Sequence, residues 1–144
     1  MQEVEVERRF SGSPQAVWDI YTDHVGWSEW AGFGEVTLEA AGDPHVNGVG
    51  AIRRFARGNM REQVVEFEPP KRMTYRIVGD RGPIRDHMGE VHFEPDGDGT
   101  RLVWRCHFNS RIPGLGGAIR WFIARMFRNA LESLARHHFP DARA

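Results

Sequence analysis

Apolar and polar residues alternate one by one at the start of the chain, where Val4, Val6 and Phe10 are interleaved with Glu3, Glu5 and Glu7. A period of two predicts a strand able to sit at a sheet edge. The period changes in SGSPQAVWDIYTD: Ser13 stands as a helix cap, Pro14 takes the first helical position, and Ala16, Val17, Ile20 and Tyr21 share one face. HVGWSEWAG predicts a second short helix with Trp27 and Trp30 on one side. From Glu35 to Ser110 alternation returns, broken by turn chemistry at AGDPHVNG, RGN, EPPK, GDRGP and PDGDGT. That pattern predicts an antiparallel meander joined by hairpins. After GLGG, the residues Ile119, Phe122, Ile123, Met126, Phe127, Ala130 and Leu134 form one wide apolar stripe, with Arg125, Arg128, Glu132 and Arg136 opposite. This is an amphipathic helix of roughly 24 residues, about 36 Å long.

Hairpin register follows from pairing like with like, because a slip of one residue exchanges the two faces of a strand. Pairing Pro95 with Thr100 across DGDG sets Glu94 against Arg101 and Glu90 against Arg105 on one face. Phe93/Leu102, Val91/Trp104 and Gly89/Cys106 then meet on the other, and His87 falls opposite Phe108. At EPPK, setting Glu68 opposite Arg72 turns Phe67/Met73, Val65/Tyr75 and Gln63/Ile77 inward. Around Gly58 and Asn59 two registers remain. A two-residue loop turns Ile52 and Arg54 inward, and a three-residue loop, the favoured one, turns Arg53 and Phe55 inward.

The chain has 144 residues, 40% hydrophobic and 27% charged, which suits one globular domain over residues 1–144. With 19 basic and 20 acidic side chains there is no global field to attract nucleic acid. Cys106 is the single cysteine, so neither an intrachain disulfide nor a cysteine metal cluster can form. MQEVEVERRF lacks the basic start and apolar run of a signal peptide, and no segment reaches the ~18 apolar residues of a membrane span. A cytoplasmic location is expected. The six arginines between Arg111 and Ala144, against Glu132 and Asp141, would also suit a membrane surface. A meander with one apolar face needs a cover, however, and this helix is the long one available.

The order strand, two short helices, six-strand meander and long terminal helix resembles the helix-grip fold of the SRPBCC superfamily, which includes START lipid-binding domains and polyketide aromatase/cyclases. The likeness is carried by SPQAVWDIYTDHVGWSEW, VGAIRRF, EFEPPKRMTYRI, GTRLVWRCHF and the terminal helix. It implies an α+β fold in which a curved, seven-stranded antiparallel sheet wraps the long C-terminal helix and leaves a cavity between them. The ligand implied is a hydrophobic small molecule, lipid-like or aromatic and polyketide-like, held by a carrier or sensor. Stable membrane insertion is not expected, and a homodimer stays open.

Within that fold the expected ligand-binding residues are Trp27, Phe55, Gln63, Val65, Phe67, Tyr75, His87, Trp104, Phe122 and Met126. His137 falls near the middle of the helical stripe. The second reading is an enzyme of the aromatase/cyclase or dehydratase type, with His87 or Tyr75 as acid/base and Arg53 as carbonyl clamp; a third is a protein-interaction module. The aromatase/cyclases that the chain resembles place an inward arginine where Phe67 stands here, and a phenyl ring cannot polarise a carbonyl. No metal or cofactor is expected: His87 and His92 fall on opposite faces of a strand, His137 and His138 diverge around a helix, and nucleotide and zinc-protease motifs are absent.

Overall fold

The computed structural model describes residues 1–79 and 82–140. Asp80 and Arg81 of the GDRGP turn, and Asp141 to Ala144, lie outside them. The elements run β1 (Gln2–Phe10), α1 (Pro14–Tyr21), α2 (Trp27–Trp30), β2 (Val36–Ala40), β3 (Ile52–Phe55), β4 (Met60–Glu68), β5 (Arg72–Ile77), β6 (Ile84–Asp96), β7 (Gly99–Ser110) and α3 (Gly116–His138). The strands form one antiparallel sheet of seven in the order β1-β7-β6-β5-β4-β3-β2. The meander is therefore continuous, and β1 closes it against β7. This is the helix-grip α+β architecture, with α1, α2 and α3 on the concave face.

Local chemistry accounts for the boundaries. Ser13 Oγ accepts from the Ala16 amide at 3.2 Å and Pro14 opens α1, as its missing amide proton permits. In the β6–β7 hairpin the expected pairs form from Gly89 onward, Pro95 with Thr100, Glu94 with Arg101, Phe93 with Leu102, Val91 with Trp104, Glu90 with Arg105 and Gly89 with Cys106, but the expected pairing of His87 with Phe108 is lost to a register shift between Arg85 and Met88. The apolar partners are buried and the charged ones face solvent. Val4 and Val6 of β1 extend the same face.

The β4–β5 hairpin departs from even alternation. Glu68/Arg72 and Phe67/Met73 pair as expected, but Glu66 meets Thr74 and Val64 meets Tyr75, so Val65 is left over as a bulge. A bulge reverses the facing of the strand beyond it. Val64 is buried at 2% exposure and Val65 is exposed at 38%, while Gln63 turns outward and its Oε1 accepts from Arg76 Nη2 at 2.9 Å. The expectation that Val65 and Gln63 look inward is thus corrected; Val64 and Glu62 take those places. Val64→Ala should cost about 2 kcal/mol in a denaturant titration, as a truncated core side chain does. Val65→Ala should stay within about 0.5 kcal/mol. The reverse ranking would place the bulge elsewhere.

Between β3 and β4 the connection is Ala56–Asn59, with Phe55 opposite Met60 and Arg53 opposite Glu62. It is one residue longer than the favoured loop, yet Arg53 and Phe55 do face inward, at 1% and 3% exposure.

The C-terminal half of α3 packs as its stripe requires, burying Phe127, Ala130, Leu131, Leu134 and Ala135. Phe122 was expected on that stripe but is 56% exposed. The physical reason is that a cleft, rather than sheet, lies beside this part of the helix. His137 is also exposed, its Nδ1 lying 2.8 Å from the Ser133 carbonyl oxygen. Among the described residues no helix is long and apolar enough to cross a membrane.

Candidate ligand-binding cleft

A cleft of about 720 Å³ lies between α2, the β3–β4 hairpin and α3. α2 supplies Trp27 and Trp30, and the following loop adds Phe33. Phe55 and Met60 flank the hairpin, Tyr75 and Trp104 form the floor, and Phe122, Met126, Phe127 and Ser133 make the helical wall. The aromatic lining is itself packed. Trp27 lies 5.1 Å from Trp30, 5.7 Å from Phe33 and 5.8 Å from Trp104 between ring centroids. Trp104 stacks on Phe127 at 3.8 Å and 6°. Such stacking fixes the walls, so the space is held open by rigid rings.

Behind the floor sits a buried polar cluster. Arg53 Nε donates to Glu62 Oε1 at 2.9 Å, and Nη2 is 2.8 Å from the same oxygen. The guanidinium also lies 4.3 Å over the Trp27 ring, a favourable cation–π placement. Glu62 reaches the cleft; Arg53 does not line it. Trp104 Nε1 donates to Tyr75 Oη at 2.7 Å. Burial first, then the Glu62 charge, holds the Tyr75 phenol well above its ordinary pKa. Tyr75 therefore stays protonated, a donor and not a base.

His24 closes the cluster from outside the cleft. Its Nε2 is 2.9 Å from the Asn47 carbonyl oxygen, which can only accept, so Nε2 carries the proton and Nδ1 faces Arg53 Nη1 at 3.4 Å. Burial, then the Arg53 charge, pushes the His24 pKa from 6.5 down to about 3. The unfolded chain thus binds a proton on His24 below pH 6.5, whereas the folded protein does not until about pH 3. Stability is complete above 6.5 and falls as pH drops. The loss through this group should reach about 2 kcal/mol by pH 5. His24→Gln should flatten that slope in urea titrations at pH 5 and 7, and an unaltered slope would contradict this assignment.

The sequence-derived site residues separate cleanly. Trp27, Phe55, Tyr75, Trp104, Phe122 and Met126 line the cleft together. Phe67 does not: it packs under α1, 5.0 Å from Trp18 and 5.1 Å from His45. His87 is also outside the cleft lining. It sits in a bulge between Arg85 and Met88, beside Asp86 at φ 54°, and its ring packs 5.5 Å from Tyr75. Burial lowers its pKa, and Nδ1 has no partner among the described residues. The space above Gly89, two residues from His87, is filled by the Tyr75 ring, which a Cβ on Gly89 would strike.

Glu62 was not anticipated as a cleft residue. Its signals were the Val64-Val65 doublet, which interrupts alternation where the bulge forms, and its place opposite Arg53. Among the described residues no group of three or more His, Cys, Asp or Glu is placed to hold a metal ion.

The sequence profile of a family described as polyketide cyclase / dehydrase and lipid transport matches residues 1–138. The chain belongs to this family. The match places it within the SRPBCC superfamily, whose START-like members share the fold. A Thermobifida fusca protein is 21% identical, with 96% of this chain and 93% of that one covered, and superposes with a TM-score of 0.80. A START superfamily protein from Mycobacterium smegmatis is 11% identical over 94% and 96% of the two chains, TM-score 0.79. The Aha1 dimer of Colwellia psychrerythraea is 13% identical over 94% and 96%, TM-score 0.69. Identities this low speak for the fold, and the dimer is a property of that protein. No curated protein matches the chain.

Proposed function

We propose that this protein is a cytoplasmic carrier or sensor that holds one hydrophobic small molecule, lipid-like or aromatic and polyketide-like, in the cleft between the sheet and α3. The observation that carries this reading is the about 720 Å³ of space walled by stacked aromatic rings. Its scale and apolar character match small-molecule sites in general. Family membership supports the same class of ligand.

The enzymatic alternative has less to stand on. Arg53, the carbonyl clamp it requires, is engaged by Glu62 and lies behind the cleft wall. Tyr75 is held protonated and His87 is not in the lining. A base poised near neutrality, which such chemistry needs, is missing from the residues it invoked.

The test is native mass spectrometry of protein purified from its own host, followed by titration with 1-anilinonaphthalene-8-sulfonate. A co-purifying small molecule, or saturable dye uptake with stoichiometry of about one, is expected. A cooperatively folded protein that carries no molecule and takes up no dye would make the aromatic residues ordinary core.

A further inference from the structure

The charge at the bottom of the cleft narrows the kind of ligand. Glu62 is nine-tenths buried, with 9% of its side chain exposed, yet both guanidinium contacts from Arg53 fall on Oε1. Among the described residues nothing donates a hydrogen bond to Oε2, and Glu62 lines the cleft. That oxygen opens onto the cleft, so a bound molecule can donate to it in place of solvent.

Tyr75 presents the complementary vacancy. An indole can only donate, so the Tyr75 hydroxyl uses a lone pair on Trp104 Nε1 and keeps its own proton for another acceptor. No described residue accepts that proton, and Tyr75 lines the same floor. The floor therefore offers one acceptor and one donor.

A hydroxyl group satisfies both at once, donating to Glu62 and accepting from Tyr75. At the floor a carboxylate would set its negative oxygens against Oε2, whereas Arg57 and Arg136, which also line the cleft, stand apart from that pair as its cationic groups. We propose that Glu62 Oε2 and the Tyr75 hydroxyl together hold the hydroxyl of an alcohol, phenol or enol whose apolar body fills the aromatic cleft. This inference rests on the carrier reading above.

Three probes of equal body separate the outcomes on the unaltered protein: 2-naphthol, 2-methoxynaphthalene and 2-naphthoate, titrated by calorimetry at pH 7. The naphthol is expected to bind at least about tenfold more tightly than the methyl ether, the ratio that one hydrogen bond to a charged acceptor supports. The naphthoate is expected to bind most weakly. Equal affinity for naphthol and ether overturns the hydroxyl inference while leaving the cleft reading intact. Tightest binding of the naphthoate also overturns it, since Arg57 and Arg136 would then govern recognition in place of the Glu62–Tyr75 floor. Failure of all three to bind a folded protein overturns the carrier reading and this inference together.

Discussion

Glu62→Ala is expected to destabilise the protein by about 3–5 kcal/mol, whereas the double change Arg53→Met with Glu62→Leu should recover most of that loss. The single change leaves a guanidinium at 1% exposure with no counter-charge, beside a neutral His24 that cannot supply one. Stacking on Trp27 remains, but it offsets only part of the desolvation of a buried cation. The double change removes both charges and returns the site to the apolar character of its neighbours Trp27, Phe55 and Val64. Urea titrations of the three proteins decide the matter. If the double variant is as unstable as the single one, the pair is held by something other than charge compensation, and the polar cluster described here is wrong in kind.

The second large effect lies on the opposite side of the cleft. Trp104→Asp and Leu134→Asp should each fail to give a cooperatively folded protein at 25 °C. Both wild-type side chains are buried, at 2% and 0% exposure, so a carboxylate in either place is withdrawn from water. Lost packing alone costs about 2–5 kcal/mol, and an unpaired buried charge adds several more, against a total stability of about 5–15 kcal/mol. Trp104→Asp also removes the stacking partner of Phe127 and the donor to Tyr75. Arg128→Glu, on the exposed face of α3, should change stability by no more than about 0.5 kcal/mol. Circular dichroism with denaturant titration reads all three. A cooperative unfolding transition in Trp104→Asp would show that β7 presents its other face to the helix.

The β6–β7 register was legible because two observations agreed: a turn of known type and charged pairs that all fall on one face. β4 was not, because alternation is a local signal and a single bulge at Val65 inverts everything before it. That inversion moved Gln63 out and Glu62 in, and with Glu62 came the polar chemistry of the cleft. The inward facing of Arg53 was expected from a loop one residue shorter than the true Ala56–Asn59, so its facing came out right while its partner did not, since pairing depends on that count. On α3, periodicity identified the stripe but could not say where the sheet beneath it ends. Phe122, expected on the stripe and as a ligand contact, therefore stands half-exposed at the cleft rim. His87 and Gly89 illustrate the remaining limit: an empty position on a strand is free for a ligand only if no neighbouring ring leans over it, and Tyr75 does.

The most direct test of the central claim is to fill the cleft without disturbing the fold. Ser133 lies on the α3 wall and is only partly buried, so Ser133→Trp should place an indole in the space while leaving the core residues Phe127, Leu131 and Leu134 unaltered. Titration of 1-anilinonaphthalene-8-sulfonate into the unaltered protein and the variant, with unfolding curves recorded on both, gives the answer. The account predicts saturable uptake by the first and its loss in a variant that unfolds as cooperatively as the original. Equal uptake by both folded proteins would put the dye elsewhere and contradict a ligand site between the sheet and α3.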